Sequence, residues 1–422
     1  MSQSSTSGNQ TISATQPTAG RFSAFSSLRH RNFQLYLSGQ LVSLAGTWMQ
    51  RVAQGWLVYQ LSRSEFTLGV VEFASAIPAL LLSLWGGVIV DRFSRRNILV
   101  ATQTGAMILA FVLAALTFAG VVQVWHVIVI AVFVGFVNAL DGPARQAFVV
   151  EMVGKEDLPN AIALNSITFN LARVIGPAFG GWLLIALGAA WCFLLNGVSF
   201  LSVIGSLLWM KLPKHERPLR HFSPWLQMRE GLLYTRANAT VAGLILLSLI
   251  LSLFGIAYLA VLPAYVDKVL QQGAAEYGWL NTAIGIGAII SVSIIAQAGK
   301  SLGRGRILTT LALIFPIVLG LFAFNHWLPL ALVFAALLGA LFIGEYVLLN
   351  TLLQTEIEDS MRGRVLSLYT ITFFGFTPFG SLGTGWLAEK IGLSVAIGLC
   401  ALCTFVFSAW ILVRTPSIRR LE

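Results

Sequence analysis

The chain has 422 residues, 57% of them hydrophobic and only 10% charged, with a formal net charge of +10 at pH 7. A soluble domain carries about 25% charged residues, and a water-soluble protein of this length has too little interior for so much apolar surface, so a soluble enzyme or binding domain is excluded. The positive charge is spread over many short loops instead of gathering in one patch, which argues against nucleic acid and leaves the lipid bilayer as the surrounding partner.

Residues 1–20 are polar, rich in Ser, Thr and Gln, and lack the apolar core of a signal peptide, and a disordered cytoplasmic tail is expected over 1–30. Apolar runs then follow, each about 20 residues or longer, as a ~30 Å hydrocarbon core requires of a helix. Continuous runs instead of alternation exclude a transmembrane barrel. Twelve spans are expected, over 33–61, 67–90, 98–120, 126–150, 161–188, 192–210, 241–266, 277–298, 307–324, 328–353, 365–388 and 393–413. Short loops make sequential spans antiparallel. The longest connection, 211–240, is basic and divides the chain into two six-helix bundles, 31–210 and 241–413, with a second tail at 414–422. With the N-terminus inside, the tails and even-numbered loops hold 21 of the 27 Lys and Arg, and the opposite side holds only Arg63, Lys268 and Lys390. That asymmetry predicts both termini in the cytoplasm.

The halves repeat. Residues 164–183 read LNSITFNLARVIGPAFGGWL and residues 368–387 read LYTITFFGFTPFGSLGTGWL, identical at 8 of 20 positions with an offset of 204. The same offset places Asp141 on Glu345. Internal symmetry between parallel halves marks transporters that rock around a central site.

An ionisable residue inside a span usually lines a water-filled path. These residues are Arg51, Glu72, Asp141, Arg145, Arg173 and Glu345. Asp141 and Arg145 are four apart, so a mutual ion pair competes with a functional role there, and Pro143 between them can disturb that geometry. Glu345 has no cation within four positions on its own span. It is the first candidate for a residue that binds and releases a proton, with Asp141 second, the two acids facing each other across a cavity. Arg51, Glu72, Arg145 and Arg173 are cavity or gating charges. Trp48, Trp56, Phe342 and Tyr346 can stack on a solute or simply pack. Cys192, Cys400 and Cys403 lie inside apolar runs with no ligand set for a metal. Gly299-Lys300-Ser301 lacks the glycine a phosphate loop needs, since Ile294 stands there. No cofactor is called for.

Residues 87–96 read GVIVDRFSRR, with Gly87, Asp91, Arg92, Arg95 and Arg96. This resembles the loop signature of the major facilitator superfamily, with Ser94 at its second glycine. The corresponding loop of the second half keeps Lys300, Arg304 and Arg306 but has no acid. Gly176, Pro177, Gly180 and Gly181 in span five resemble the antiporter motif of exporting members, with Ala172 at the first glycine. The stretches LRHRNF at 28–33, TWMQRVAQGWL at 47–57 and PARQAF at 143–148 are similar to the branch of enterobactin exporters and transmembrane secretion effectors. The resemblance implies an all-α integral membrane protein of the major facilitator fold. It implies a cytoplasmic latch in which Asp91 meets the start of span eleven near Arg362 and Arg364. It implies a monomeric, proton-driven exporter of a siderophore- or drug-like small molecule in a bacterial inner membrane. A proton-coupled nutrient importer is the alternative, and a non-transporting receptor or scaffold a more distant one.

Overall fold

Helices carry a chain through lipid because each satisfies its own backbone groups, which the bilayer core cannot do. The computed structural model describes residues 26–154, 156–210, 224–298 and 303–421; the side chains of 83–91, 224–227, 293 and 296–298 lie outside the description. The helices are α1 (Arg31–Ser62), α2 (Glu65–Arg92), α3 (Arg95–Phe118), α4 (Val124–Val153), α5 (Leu158–Ala186), α6 (Ala189–Trp209), α7 (Pro224–Ala237), α8 (Ala239–Ile250), α9 (Leu262–Lys268), α10 (Ala274–Ala298), α11 (Arg304–Ala323), α12 (Leu328–Glu356), α13 (Asp359–Ile391) and α14 (Leu393–Arg414). Among the described residues, ten helical stretches are long and apolar enough to cross a membrane. Helices α1 and α10, which stand where the first and eighth spans were expected, are 32 and 25 residues long and more polar. The first carries Gln40, Gln50, Arg51 and Gln54, the second Glu276 and Asn281.

The segment expected as span seven is not one regular helix. Helix α8 ends in a π-helical turn at Leu251–Gly255, a 3-10 turn follows at Ala257–Leu259, and α9 starts afresh. The amide of Ile256 bonds back to the carbonyl of Leu251 at 3.0 Å, five residues away, and Pro263 near the start of α9 has no N–H to offer the preceding turn. The strongly apolar composition of 241–266 hid this break from a reading of hydropathy.

Lipid is as apolar as leucine, so helices in a membrane associate through close packing. The packing here is built on glycine. Helix α5 lies on α10, and α13 on α2, so each half contributes one helix to each of two seams. A Cβ at Gly278 would lie 2.6 Å from the Cα of Gly181, and a Cβ at Gly69 2.7 Å from the carbonyl oxygen of Ser381. Gly385, the repeat equivalent of Gly181, meets the carbonyl of Glu65 equally closely. The repeat extends to the turns. Gly188 and Gly392, again 204 apart, both take positive φ, +89° and +91°, a conformation in which a side chain is strained. Large apolar side chains such as Phe133, Leu201, Ile317 and Val406 are exposed along the outer helix faces, where lipid covers them.

Two expected irregular stretches are partly structured. Within 211–240, α7 packs on the start of α13, with Glu230 ion-paired to Arg364 at 3.0 Å. Residues 1–25, 155 and 211–223 lie outside the described residues. The tail expected to be disordered through residue 30 is instead ordered from Ser26, because Ser27 donates from its amide and its hydroxyl to Asn160 at 3.1 and 2.6 Å, and His30 pairs with Asp157 at 2.8 Å. Hydrogen bonds from Ser26 and His30 hold the Asp157 carboxyl below the usual carboxylate range. That tie is intact near neutrality and is lost as pH falls through the lowered value.

Candidate functional site

Among the described residues, the polar contacts that join the two halves gather at one end of the bundle. There the α1–α2 turn, with Arg63 in a left-handed conformation (φ 52°), reaches the other half. Tyr59 donates to Asp267 at 2.6 Å and Arg63 donates to the same oxygen at 3.2 Å. Lys268 pairs with Glu65 at 2.7 Å, and Ser64 donates to Glu389 at 2.9 Å. Trp56, buried, stacks on Tyr277 of the other half with centroids 6.0 Å apart. Together with the glycine seams these contacts shut that end. None of Tyr59, Glu65, Asp267 or Glu389 was singled out from the sequence, where they read as ordinary loop and helix-end residues. Opposite charges at the ends of spans one, two and seven are the signal that could have found them.

The shut end predicts a gate. Lys268→Ala leaves Glu65, only 3% exposed, without its cation. Breaking a buried pair costs up to about 3–5 kcal/mol, and the 45% exposure of the Lys268 side chain scales this to about 1–2 kcal/mol. Spin labels at Gln60 and Gln271 should then show a larger population at long separation. An unchanged distance distribution would remove the gate.

Asp141 is fully engaged within its own half. One carboxylate oxygen accepts from Thr102 at 2.9 Å and from Gln103 at 2.7 Å, both on α3. The other accepts from the Arg145 guanidinium, the helix running unbroken through Pro143. The acid thus points toward α3 and Arg145, not across to Glu345, which corrects the expectation that the two acids face each other. Thr102 and Gln103 were missed; a polar pair inside an otherwise apolar third span was the available clue.

Glu345 is buried as well but differs in its partners. It is 2% exposed, and among the described residues its Oε2 has no hydrogen-bond partner. At the offset of 204 the position of Arg145 is taken by Leu349, which is fully buried. Its chain neighbour Tyr346 belongs to an aromatic cluster, with ring centroids 4.8 Å apart for Tyr346 and Phe373, 6.2 Å for Tyr346 and Tyr369, and 6.2 Å for Phe342 and Phe373. The Tyr369 hydroxyl donates to the Tyr346 carbonyl at 3.4 Å and lies within electrostatic reach of Glu345.

Arg51 and Arg173 come together although they lie on α1 and α5. Their guanidinium carbons stand 5.1 and 5.5 Å from the centroid of the Trp48 indole. Glycine sets this geometry too, since Gly176 lets α5 approach the backbone of Ala45 and the Cβ of Trp48. The motif residues therefore divide their work. Gly176 and Gly180 face α1, and Gly181 faces α10. Glu72 is half-buried, and with Arg51 it lies within electrostatic reach of Tyr277.

The side chains of Gly87 and Asp91 fall outside the described residues. The described basic residues of the expected latch make bonds within their own halves or to α7. Arg95 binds Glu151 at 2.8 Å, Arg96 donates to the Leu208 carbonyl at 2.6 Å, Arg362 pairs with Asp359 at 2.6 Å and Arg364 with Glu230, while Arg92 is exposed.

Comparison with known proteins agrees with this architecture. Residues 22–421 match the family described as transmembrane secretion effector. The staphyloferrin A transporter of Staphylococcus aureus (strain NCTC 8325 / PS 47) is 25% identical over 379 residues, covering 88% of this chain and 94% of that protein. The enterobactin exporter EntS of Shigella boydii serotype 18 is 27% identical over 383 residues, covering 90% of this chain and 88% of its own. Among solved structures, the nucleoside transporter NupG superposes with a TM-score of 0.71 at 12% identity, covering 91% of this chain and 98% of NupG, a likeness of fold alone. With two pseudo-symmetric helical halves and a match over nearly its whole length, the chain belongs to the transmembrane secretion effector family of major facilitator transporters: it is a multi-pass membrane transporter and not an enzyme.

Proposed function

We propose that the protein exports a small siderophore- or drug-like molecule across a bacterial inner membrane in exchange for protons, as a monomer with twelve spans and both termini in the cytoplasm. The observation that carries this reading is Glu345, a buried carboxyl with an unpartnered oxygen on the tenth span. An ionised carboxylate left there without a partner carries the full cost of burial, so the group is suited to accept a proton and to release it when the conformation changes. The shut end supports alternating access, with the halves rocking about the two glycine seams. By the distribution of Lys and Arg, that end faces outward. The relatives named above as transporting or exporting siderophores support the substrate class and the direction.

The test uses everted vesicles energised to an acid interior. An exporter releases protons from the vesicle when its solute is added outside, and vesicles lacking the protein do not. Solute accumulation by intact cells through this protein would establish the importer instead. Topology is checked in a chain with Cys192, Cys400 and Cys403 replaced by serine. A cysteine at Gln271 should react with an impermeant reagent added to intact cells, and one at Arg229 should not; the opposite pattern inverts the molecule.

A further inference from the structure

Two guanidiniums inside a membrane protein repel each other, and they are normally neutralised by carboxylates. Among the described residues neither Arg51 nor Arg173 has a carboxylate partner or a hydrogen bond, although each lies within electrostatic reach of the other. They share one indole, Trp48, at 5.1 and 5.5 Å. Attraction to the ring holds them in place but leaves their N–H forks unused. Arg51 is exposed and Arg173 half-buried, so the forks open onto space. That space lies too deep for a lipid headgroup, since Arg51 precedes the end of α1 by eleven residues, about 16 Å at helical rise.

The site also spans the two halves. The Arg173 carbonyl lies 3.0 Å from where a Cβ of Gly285 on α10 would be, so Arg173 stands on a seam. Tyr258, in the turn that breaks span seven, lies within electrostatic reach of Arg173, and Tyr277 within that of Arg51 and Glu72. Rocking of the halves therefore changes the surroundings of both cations. Glu72, the acid of this neighbourhood, pairs with neither.

Resting on the transporter reading above, we infer that Arg51 and Arg173, held around Trp48, form the binding site for the negatively charged part of the solute, and that the solute is an organic anion bearing carboxylates. A planar guanidinium fork matches a carboxylate in two parallel hydrogen bonds. Two forks converging beside one indole select a solute with at least two acidic oxygens close to a flat or aromatic group. Solute and proton then occupy separate places, the solute between the arginines and the proton at Glu345, instead of competing for one acidic site.

The test is equilibrium binding, with no gradient, to purified protein in phosphatidylcholine nanodiscs. The probes are benzene-1,2,4-tricarboxylate, its neutral triamide, and the dication methyl viologen. The tricarboxylate should bind and the other two should not. Arg51→Gln and Arg173→Gln should each weaken it roughly tenfold to a hundredfold, the effect of losing one charge-assisted contact, with partial recovery in the Lys variants. Should either glutamine variant elute as aggregate, Trp48→Leu keeps both charges and must still weaken binding. Absence of tricarboxylate binding, tighter binding of methyl viologen, or equal affinity in wild type and folded variants overturns the inference. So does binding that disappears in phosphatidylglycerol nanodiscs, which would make a lipid headgroup the occupant. Anion binding without proton-linked transport would sink the exporter reading and leave this site standing; export indifferent to solute charge would do the reverse.

Discussion

Replacing Glu345 by glutamine should abolish proton-driven accumulation of solute while leaving downhill exchange close to the wild-type rate. Glutamine has the same shape and keeps a polar head, so the packing around Tyr346, Tyr369 and Phe373 is preserved, but it cannot take up or release a proton. If Glu345 carries the coupling proton, the protein without it brings solute no further than equilibrium, and the expected effect on accumulation is complete. Asp141→Asn should behave differently. Its carboxylate is held by Arg145, Thr102 and Gln103, and neutralising it leaves Arg145 without a counter-ion in the membrane. The expected result is lower protein yield and a lower unfolding temperature, since orphaning one partner of a buried pair costs about 3–5 kcal/mol. Wild-type accumulation by the Glu345→Gln protein in everted vesicles would end the assignment.

A single methyl group on a seam should trap the transporter in the opposite state. In Gly278→Ala the new Cβ would sit 2.6 Å from the Cα of Gly181 and 3.1 Å from the Pro177 carbonyl oxygen. Both are backbone atoms, so nothing can rotate aside and the helices themselves must part. Overpacking of this kind costs about 1–3 kcal/mol, a shift of roughly 5–150-fold between two states of one molecule. Spin labels at Gln60 and Gln271 should report mostly the long distance, and turnover should fall in proportion to the lost closed state. Gly205→Ala, where a Cβ meets nothing within 4 Å, is the control and should leave both unchanged. A short distance retained in Gly278→Ala would show that the seam is not what holds the halves together.

The helical halves were legible because span length and loop charge depend on composition alone. The repeat was legible because Gly181 and Gly385 serve the same backbone need twice, and the structure extends it to the turn residues Gly188 and Gly392. The Asp141–Arg145 pair could be read from its spacing of four on one helix. Its direction could not, because α3 supplies Thr102 and Gln103 and nothing in a linear pattern tells which neighbour a helix face meets. The break in span seven was overlooked for a different reason: 241–266 is strongly apolar and a π turn leaves no mark on hydropathy, so Pro263 was the available clue. The grouping of Arg51 with Arg173 depends on a Gly176 contact between helices over a hundred residues apart in the chain. Each residue was identifiable as an intramembrane charge, but not as half of a pair.

The guanidinium pair beside Trp48 also bears on the electrical side of a transport cycle. A solute that carries two negative charges outward, exchanged for one proton moving inward through Glu345, transfers three elementary charges in the sense favoured by a cell interior that is negative. Each is worth about 2.3 kcal/mol per 100 mV, so the voltage across the membrane supplies roughly 7 kcal/mol per turnover at that potential. The pH difference then becomes the smaller contribution. A potassium diffusion potential imposed across proteoliposomes, with equal pH on both sides, should be enough to drive the solute outward.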